Sequence, residues 1–357
     1  MPDKARVAVI GTGWWTTQAH LPALVANPKA ELVALADPRE DVLAKAAAKY
    51  GVDTTYTDYE EMIDKEELDG VVVAVWHSAH YEVARTCLER GLHVMLEKPM
   101  VLVADHAREL VELAARQERE LIIGYPWHFT PHTLRAREII QSGELGPVQL
   151  VNSVFASMVL QFLRGKDEDY QSVFEYPVVG PGDVYSDPER SGGGQGHLQV
   201  THSAALFLFI TGLHPVGVSA LMNNLDVKVD VIDAFAVRFQ EGALATVGST
   251  GAIVPGGPDC LLTRIHCEHG MVDLDSLAGT CRIHHRDQTE EMLPPLQDAD
   301  EIYPMGATSA NLVDVITGDA VNGSPAEFGW RTVELLDAAY RSAGSGGQHV
   351  EVSSLYE

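Results

Sequence analysis

Two segments of the sequence carry residue types that suit the binding of a phosphate group and the transfer of a proton. The first is the turn Gly11-Thr12-Gly13-Trp14-Trp15-Thr16, which directly follows the apolar run RVAVI. Two glycines at this spacing allow a tight turn and bring the backbone close to a pyrophosphate at the start of a helix. Thr16 stands where the usual fingerprint has its third glycine. We therefore predict that this turn binds a dinucleotide.

Asp37 and Arg39 indicate which dinucleotide the turn would hold. Asp37 ends the next apolar run, ELVALA, 24 residues after Gly13. A carboxylate at this place accepts hydrogen bonds from the ribose diol of adenosine and repels a 2′-phosphate, which favours NAD over NADP. Arg39 lies two residues further on, where its charge would partly offset that repulsion. The predicted cofactor is therefore NAD, with NADP as the less favoured alternative.

The second segment is Glu97-Lys98-Pro99, an acid, a base and a proline that follow the apolar run HVML. Ligands of open parallel sheets bind beyond the carboxyl ends of the strands, so Lys98 would face the bound dinucleotide. An ammonium group there can hydrogen-bond a reacting oxygen and stabilise the charge that develops on it. Burial could also lower the pKa of Lys98 enough for it to accept the proton itself. A cis bond before Pro99 would fit such a turn.

The first 125 residues must position both turns, and their pattern predicts a doubly wound sheet. Short apolar runs alternate with helical stretches, and residues 70–75 (GVVVAV) form a run without polar alternation. Unbroken apolar strands of this kind belong to parallel sheets that helices cover on both faces. We assign residues 1–125 to a dinucleotide-binding Rossmann domain of the α/β class.

Residues 126–357 have a different pattern and predict a second domain. A long strand at 148–158 precedes a segment rich in glycine, proline and charge at 160–191, and a helix at 194–211 follows. From residue 217 to about residue 282 the chain alternates with the period of two that is typical of strands. We predict an α+β domain with a large, mostly antiparallel open sheet that binds substrate, and C-terminal helices that pack back on the first domain.

Composition and charge narrow the classes of partner. In the 357 residues, 25 Lys and Arg against 51 Asp and Glu give a formal net charge of −26. Such an acidic chain repels phosphate backbones and anionic lipid, which argues against nucleic acid and membrane partners. The longest apolar runs have about seven residues, too few for a membrane helix, and the N-terminus lacks a signal-peptide pattern. The four cysteines form no CxxC, and we expect a cytoplasmic protein without a metal.

Together the motifs resemble those of the Gfo/Idh/MocA oxidoreductase family, to which glucose-fructose oxidoreductase and inositol dehydrogenase belong. The resemblance covers nearly the whole chain and rests on the Gly11/Gly13 turn, Trp76 to His80, Glu97-Lys98-Pro99, Gly124-Tyr125, Gly143 to Gly146, Gly192-Gly193-Gly194 with His202, and Ala339-Tyr340-Arg341-Ser342. The family implies hydride transfer between NAD(P) and a carbohydrate or cyclitol hydroxyl. It also implies a homodimer or homotetramer that forms through the C-terminal sheet.

The resemblance makes Lys98 and His202 the predicted catalytic residues, because they match the family's lysine and histidine. Which of the two takes the proton stays open. Gln199 lies three residues before His202 on the same helical face, so it would orient the His202 ring. The predicted cofactor-binding residues are Gly11, Thr12, Gly13, Trp14, Trp15, Asp37, Arg39, Trp76, His77, His80, Glu97 and Lys98. The predicted substrate-binding residues are Trp127, His128, Tyr170, Tyr185, Arg190, Gln199 and His202.

Two departures from the family's pattern bear on the chemistry. Leu198 stands where the family commonly has an aspartate four residues before the histidine, and Pro126-Trp127 stands in place of its Asn and Arg. The leading hypothesis is an NAD-dependent dehydrogenase that acts on a secondary hydroxyl of a sugar, sugar derivative or cyclitol. The missing aspartate keeps open a redox-neutral lyase, epimerase or glycosidase with tightly bound NAD and a transient keto intermediate. A non-catalytic regulator that senses sugar and NAD is the third alternative.

Overall fold

The computed structural model of this chain describes residues 2–254 and 256–357. Its N-terminal part alternates strands with helices. The strands are β1 (Ala5–Ile10), β2 (Ala30–Ala36), β3 (Thr55–Tyr56), β4 (Gly70–Val73), β5 (His93–Leu96) and β6 (Leu121–Ile123). The helices are α1 (Leu21–Ala26), α2 (Glu40–Tyr50), α3 (Tyr59–Lys65), α4 (His80–Glu89) and α5 (Ala104–Gln117). The strands are all parallel, in the order β3-β2-β1-β4-β5-β6, which confirms the predicted doubly wound sheet.

The centre of this sheet is buried on both faces, as its apolar strands predict. Val71, Val72 and Val73 of β4 are completely buried, and Val72 pairs with Val9 of β1. The strand order reverses between β1 and β4, and ligands of such sheets bind in the crevice at the carboxyl ends of the strands beside this point. The turn at Gly11 follows β1 and the turn at Lys98 follows β5. Both predicted functional turns therefore lie at the same edge of the sheet.

The C-terminal part is built on one large mixed sheet. Its strands are β7 (Val148–Ala156), β8 (Pro215–Asn223), β9 (Ile232–Phe239), β10 (Leu244–Thr250), β11 (Cys260–Cys267), β12 (Gly270–Asp275), β13 (Thr280–His285), β14 (Glu290–Met292) and β15 (Val350–Glu351). Its helices are α6 (Pro131–Gln141), α7 (Leu160–Leu163), α8 (Pro188–Ser191), α9 (Thr201–Thr211), α10 (Ala299–Ile302), α11 (Ala307–Thr317) and α12 (Ala326–Gly344).

This sheet has the order β14-β13-β12-β11-β7-β10-β9-β8-β15. Among the described strands of this second sheet, only the pair β7 and β10 is parallel, so the predicted large and mostly antiparallel sheet is confirmed. Each central strand has a buried and an exposed face. In β9, for example, Phe235, Val237 and Phe239 are buried, and the alternating residues Ala234, Ala236 and Arg238 are exposed. The helices α9 and α12 cover the buried face.

Two helices at the crevice begin with a wide, π-helical turn. Residues 196–200 form such a turn directly before α9, and residues 16–20 form another directly before α1. The helix expected at 194–211 is therefore present, but its first turn is wider than an α-helix. Single π turns of this kind are frequent at functional sites, because they change the direction in which backbone groups and side chains point.

The last helices join the two parts of the molecule. Leu312, Val313 and Ile316 of α11 pack among the buried residues of β1 and β4, inside the core of the first sheet. Val333 of α12 belongs to the core on the other face of that sheet, whereas Leu335 of the same helix packs in the core of the second sheet. The Rossmann core is therefore completed by residues that follow the second sheet in sequence.

Two structural absences hold for the described part of the chain. None of its helices combines the length and the apolar character that crossing a membrane requires. None of its clusters brings three or more His, Cys, Asp or Glu side chains into an arrangement that could hold a metal ion. The four cysteines are all free, and three of them are buried.

Candidate active site

The turn after β1 has the geometry that a dinucleotide phosphate requires. Gly11 has a φ of +91°, and a Cβ at this position would lie 2.3 Å from the carbonyl oxygen of Ala74, so the turn needs glycine. Thr16 donates its hydroxyl to the Gly11 carbonyl at 2.7 Å and thereby ties the helix to the turn. The first N–H groups of a helix have no partner within the helix, so those after Gly13 can meet a phosphate.

Asp37 is buried at the end of β2 and receives hydrogen bonds from two directions. Its Oδ2 accepts from the amide and the hydroxyl of Thr12, at 2.8 and 3.1 Å. Arg39 donates Nε to Oδ1 at 2.9 Å and Nη2 to Oδ2 at 2.8 Å. Burial acts to raise the pKa of Asp37, but the hydrogen bonds from Arg39 and Thr12 hold it below its usual value. An ionised carboxylate with a guanidinium across it therefore borders the phosphate turn.

Trp14 joins the phosphate turn to the segment 160–191. Its indole nitrogen donates to the carbonyl of Glu175 at 2.9 Å. Its ring packs against Phe162, Phe174 and Tyr176 with centroid distances of 5.2, 5.9 and 5.7 Å. The long segment is therefore anchored on the Rossmann domain, beside the place where the phosphates would lie.

Lys98 reaches from the first sheet to the helix that leads into α9. The Lys98–Pro99 peptide bond is cis. The ammonium Nζ donates to the carbonyl of Leu198 at 3.1 Å, in the π-helical turn 196–200. Burial lowers the pKa of Lys98 to about 8, although the Glu97 carboxylate opposes this fall. An amine with such a pKa can accept and return a proton near neutral pH.

His202 is buried one helical turn beyond Leu198. Its ring meets the ring of Trp127 edge-on at a centroid distance of 5.1 Å. Burial, with the charges of Lys98 and His128, lowers the pKa of His202 well below its usual value, so the ring is neutral. Its Nδ1 has no hydrogen-bond partner among residues 2–254 and 256–357. A buried nitrogen without a protein partner is free to bond a water molecule or a ligand.

An aromatic wall stands beside these two residues. Tyr303 packs on Trp127 with a centroid distance of 4.4 Å and lies 6.1 Å from the ring of Trp15. The indole nitrogen of Trp127 donates to the carbonyl of Ile302 at 3.0 Å. This bond fixes the faces of the Trp127 indole and the hydroxyl of the adjacent Tyr303. Burial and the nearby Glu97 carboxylate raise the pKa of Tyr303, which keeps its hydroxyl protonated.

Tyr185 and His77 lie at the same end of the crevice. Their rings are 5.9 Å apart, and His77 is hydrogen-bonded through Nδ1 to the carbonyl of Ser191 at 2.9 Å. Burial and the Glu97 carboxylate raise the pKa of Tyr185. Burial, with the charges of His80 and Lys98, lowers the pKa of His77. The structure thus pairs Trp127 with His202 and Tyr185 with His77, and it places Lys98 against the turn before His202.

His128 was predicted to bind substrate, and the structure corrects this. Its Nδ1 is bonded to the Ser324 hydroxyl at 3.0 Å and its Nε2 to the Ala205 carbonyl at 3.3 Å. Its ring stacks on Phe209 at a centroid distance of 4.1 Å. Both nitrogens are therefore used inside the core, and burial lowers the pKa of His128 to about 3. His128 supports the wall from behind and does not face the crevice.

His80 and Tyr170 also have packing roles in place of the predicted binding roles. Nδ1 of His80 lies 2.7 Å from the carbonyl oxygen of Pro99, and Nε2 lies 3.2 Å from that of Val75. A neutral ring donates to one of the two, and the shorter distance assigns the N–H to Nδ1. His80 therefore packs between the cis-proline turn and the end of β4. Tyr170 is buried against Phe162 at a centroid distance of 4.9 Å, within the segment 160–191. Neither side chain has a free polar group that faces the crevice.

Gln199 and Arg190 differ from their predicted roles as well. Gln199 is partly buried, but no hydrogen bond joins it to His202 in the described structure. Arg190 is paired with Asp183 at 3.0 Å and lies over the ring of Trp76 at 4.7 Å. Arg190 therefore fixes the end of the segment 160–191 on a partly exposed Trp76, at the rim of the crevice.

Sequence reasoning missed one member of the site, Tyr303. It lies in the irregular stretch between α10 and α11, far from every motif, and reaches the crevice only because α11 returns to the first sheet. A tyrosine before a proline carries no spacing signal that could have identified it.

The residues present fit a nicotinamide dinucleotide. Gly11 allows a tight turn against Ala74, where any Cβ would collide with the backbone, and Asp37 with Arg39 borders the place for an adenosine ribose. The free His202 nitrogen and the Lys98 amine stand at the other end, where a nicotinamide and a second small molecule would meet. An amine and an imidazole at this place can exchange a proton with a hydroxyl group.

Comparison with known protein families agrees with this geometry. Residues 5–125 match the family described as "Oxidoreductase family, NAD-binding Rossmann fold". Residues 133–273 match the family described as "GFO/IDH/MocA C-terminal domain". The two matches together include both glycine-rich stretches, the lysine turn and the helix with His202.

Individual relatives are sugar dehydrogenases. The chain is 28% identical over 169 residues to D-xylose 1-dehydrogenase [NADP(+)] of Haloarcula marismortui, with 46% of this chain and 47% of the relative covered. It is 31% identical over 148 residues to D-glucoside 3-dehydrogenase of Escherichia coli, with 42% of each chain covered. The matched regions thus span about half the length of these curated relatives or less.

The whole chain resembles solved structures. The crystal structure of GenD2 from gentamicin A biosynthesis in complex with NAD superposes with a TM-score of 0.79. The superposition covers 98% of this chain and 97% of GenD2, and the sequence identity is 24%. At this identity the likeness concerns the fold alone.

Proposed function

Since the chain belongs to the Gfo/Idh/MocA oxidoreductase family, we propose that it is an NAD(P)-dependent dehydrogenase of a secondary hydroxyl in a sugar, sugar derivative or cyclitol. The observation that carries the proposal is the contact between Lys98 of the Rossmann domain and the helix that bears His202. In it, Nζ lies 3.1 Å from the Leu198 carbonyl. This contact brings a titratable amine, at the ligand-binding edge of the sheet, to the turn directly before the helix of His202, whose imidazole has a free nitrogen.

Lys98 and His202 would have different roles in the transfer of the proton. Oxidation of an alcohol removes a hydride from carbon and a proton from oxygen, and a bound nicotinamide supplies the hydride acceptor. Lys98 takes the hydroxyl proton at Nζ, because its pKa of about 8 makes the neutral amine available. His202 is too weak a base for this step, since its pKa is well below the usual value. It hydrogen-bonds the substrate as a neutral ring and orients it.

The aromatic wall supplies the rest of the substrate site. Trp127, Tyr303 and Trp15 present ring faces and edges, which suit the apolar faces of a sugar ring. They also exclude water from the reacting carbon. Tyr185 and Tyr303 keep protonated hydroxyls, which can donate hydrogen bonds to substrate oxygens. These contacts favour a neutral polyol over an anionic substrate, since Glu97 already adds a negative charge at this end.

NAD is the cofactor that we propose, with Asp37 as the reason. Its buried, ionised carboxylate would repel a 2′-phosphate and accept ribose hydroxyls. Arg39 is the residue that could reverse the preference, because its guanidinium lies across Asp37 and is partly exposed. In this proposal Arg39 stays bonded to Asp37, and the pair recognises an unphosphorylated ribose.

A substrate panel tests the proposal directly. Aldopyranoses, glycosides and inositols are incubated with the protein and NAD or NADP in parallel, and nicotinamide reduction is followed by absorbance. We expect stoichiometric reduction with at least one polyol and a higher kcat/KM with NAD. A higher kcat/KM with NADP would contradict the assigned role of Asp37. Failure of every polyol with both cofactors, while the Lys98→Met protein gives the same background, would refute the dehydrogenase.

We also propose that a second copy of this chain covers the exposed face of the second sheet. Val154, Leu244 and Leu262 are 41%, 54% and 39% exposed there, on strands that lie next to or near one another. Small residues beside them, such as Ala234 and Ala236 on the next strand β9, allow a close approach. Exposed apolar side chains that share one face of a sheet suit an interaction site.

Light scattering of the purified protein tests this interface. We expect a mass of two or four times the 38.8 kDa of one chain. Leu244→Glu places a charge on the exposed face and is expected to shift the protein toward the monomer. Val321→Glu is the matched control, because Val321 is 84% exposed and lies outside the sheet. A single 38.8 kDa species of the unmodified protein at all concentrations would contradict the proposed interface.

A further inference from the structure

Three buried side chains form a hydrogen-bonded chain that ends at the Glu97-Lys98 turn. The Ser309 hydroxyl lies 2.7 Å from Nδ1 of His20. Nε2 of His20 lies 3.0 Å from Oε1 of Glu97. Ser309 and His20 are completely buried, and Glu97 is 6% exposed. Because a carboxylate can only accept, the proton between His20 and Glu97 resides on Nε2.

The Glu97 carboxylate is fixed from its other sides as well. Its Oε2 accepts from the backbone amide of Lys98 at 3.0 Å. Gly124 of the next strand's turn lies directly against it, since a Cβ on Gly124 would be 2.6 Å from Oε1. The carboxylate therefore has little room to move, and its position depends on His20.

The chain of contacts connects elements that are remote in sequence. His20 ends the π-helical turn that follows the phosphate-binding turn, and Ser309 lies in the first turn of α11. Leu312 and Val313 of α11 hold that helix in the core of the first sheet. The cofactor turn, the lysine turn and a C-terminal helix thus share one buried polar connection.

We propose that His20 and Ser309 are positioning residues that keep the Glu97 carboxylate ionised and stationary beside Lys98, and so determine how tightly Lys98 holds its proton. The importance of this coupling for catalysis rests on the proposed function, in which Lys98 accepts the proton. The structural content of the inference, a coupling from Ser309 through His20 and Glu97 to Lys98, can be measured without substrate or cofactor.

The direction of the effect follows from the charges. Burial acts to raise the pKa of Glu97, but the hydrogen bond from His20 and the neighbouring Lys98 hold it below its usual value. Removing His20 would let burial raise the pKa of Glu97, and the carboxylate would take up a proton. Burial lowers the pKa of Lys98 and Glu97 opposes this. Loss of the Glu97 charge would therefore lower the pKa of Lys98 below about 8.

Other groups that face the pair do not change charge in this range. Besides His20, the groups that surround Lys98 and Glu97 are His77, His80, His202, Tyr125, Tyr185 and Tyr303. Burial lowers the pKa of His77, His80 and His202, and these rings stay neutral. Burial raises the pKa of the three tyrosines, so they stay protonated. Glu97 is thus the neighbouring charge through which His20 would act on Lys98.

The test is a pH titration of Lys98 by NMR in the ligand-free, full-length protein labelled at lysine Cε. The Lys98 signal is assigned by its loss in Lys98→Met, and the other lysines are internal controls. We expect a midpoint near 8 in the unmodified protein. Glu97→Gln and His20→Leu should each lower it by about one pH unit or more, the usual effect of one opposite charge at close range. Ser309→Ala should lower it by less.

Two further variants separate positioning from a general loss of structure. His20→Gln keeps an N–H donor in place of Nε2 and should retain a midpoint close to that of the unmodified protein. The double variant His20→Leu/Glu97→Gln should shift the midpoint no further than Glu97→Gln alone, because His20 acts only through Glu97. Circular dichroism confirms that each variant is folded. If His20→Leu does not fold, Ser309→Ala and Glu97→Gln decide the question.

An unchanged Lys98 midpoint in folded Glu97→Gln or His20→Leu would overturn the inference, and so would additive shifts in the double variant. If His20→Leu does not fold, an unchanged midpoint in Ser309→Ala would overturn it. These outcomes are independent of the substrate panel, since no polyol or dinucleotide is present. A failed panel with the expected NMR shifts would remove the dehydrogenase and leave the coupling in place.

Discussion

Lys98→Met is expected to lower kcat/KM for the preferred polyol by roughly 10³-fold or more, because one positioned acid–base group contributes about 10² to 10⁴. Methionine is unbranched and apolar, so it can occupy the buried lysine position without an unpaired charge. The loss should appear in kcat rather than in KM, which marks a group that acts in the transition state. Dinucleotide affinity should change little, since the phosphate turn and Asp37 do not contact Lys98.

The measurement combines steady-state kinetics with a fluorescence titration of the dinucleotide. Lys49→Met is a matched control, because Lys49 also donates to a backbone carbonyl, that of Pro177 at 3.4 Å, but at the surface. Lys49→Met should keep the turnover of the unmodified protein. Turnover of Lys98→Met within about tenfold of the unmodified protein would exclude Lys98 as the general base, since such a group contributes at least about 10².

The pH dependence of kcat/KM is a second measurement that tests Lys98 as the general base. In the oxidation direction the neutral amine is required, and it predominates above the Lys98 pKa of about 8. The kcat/KM for oxidation should therefore rise with pH and level off above about 8, whereas that for reduction should fall through the same range. In Lys98→Met, kcat/KM for oxidation should lack this rise with pH. A rise that persists in the variant would result from the titration of another group.

The elements around Lys98 show which parts of the site a sequence can predict. Unbroken valines in β4, a glycine pair after β1 and the Glu97-Lys98-Pro99 turn are local patterns, and each predicts its place in a doubly wound sheet from the backbone alone. Thr16 completes the phosphate turn without the third glycine, because its hydroxyl bonds to the Gly11 carbonyl. These features depend on neighbours in sequence, and therefore they were predictable.

The errors concern side chains whose partners are remote in sequence. His128 follows Trp127 directly, yet its two nitrogens bond to Ser324 and Ala205 and not to a ligand. Nothing in the order of residues distinguishes a histidine that is satisfied in the core from one that faces a crevice. Tyr303 is the converse case, because only the return of α11 to the first sheet carries it into the site. The fold class was thus predictable, and the exact lining was not.

Leu198 illustrates how the chain manages without a residue that the family commonly has. An aspartate would offer a carboxylate near the histidine, but here the backbone carbonyl of Leu198 receives the Lys98 ammonium. The Leu198 side chain packs with Val159 and Phe162 of the anchored segment. The π-helical turn therefore supplies by its backbone an acceptor that the side chain does not provide.

Asp230→Ala is expected to cause the largest loss of stability among the residues that position this turn. Asp230 is 4% exposed, and its carboxylate accepts from the amides of Gly194 and Gly196 at 2.7 and 2.6 Å. It also accepts from the Tyr340 hydroxyl at 2.8 Å. Alanine would leave three buried donors without an acceptor, each at a cost of about 1–3 kcal/mol. We expect the free energy of unfolding to fall by about 3 kcal/mol or more.

The glycines around Asp230 make this arrangement rigid. A small backbone shift therefore cannot restore the hydrogen bonds that Asp230→Ala removes. A Cβ on Gly194 would lie 2.0 Å from the Asp230 carbonyl oxygen, and a Cβ on Gly193 would lie 2.2 Å from the Tyr340 hydroxyl. The backbone thus lies directly against both partners. Because the helix that starts here carries Leu198 and His202, Asp230→Ala should lower kcat as well as stability.

A graded series separates the hydrogen bonds from the packing. Tyr340→Phe removes one donor and its partner bond and should cost about 1 kcal/mol, less than Asp230→Ala. Asp226→Ala is the matched control, because Asp226 lies on the same connection between β8 and β9 but is exposed and paired only with Arg164 at the surface. Thermal unfolding should show a fall of roughly 5 °C or more for Asp230→Ala and almost none for Asp226→Ala. Equal melting temperatures for these two variants would mean that Asp230 does not hold the start of the catalytic helix.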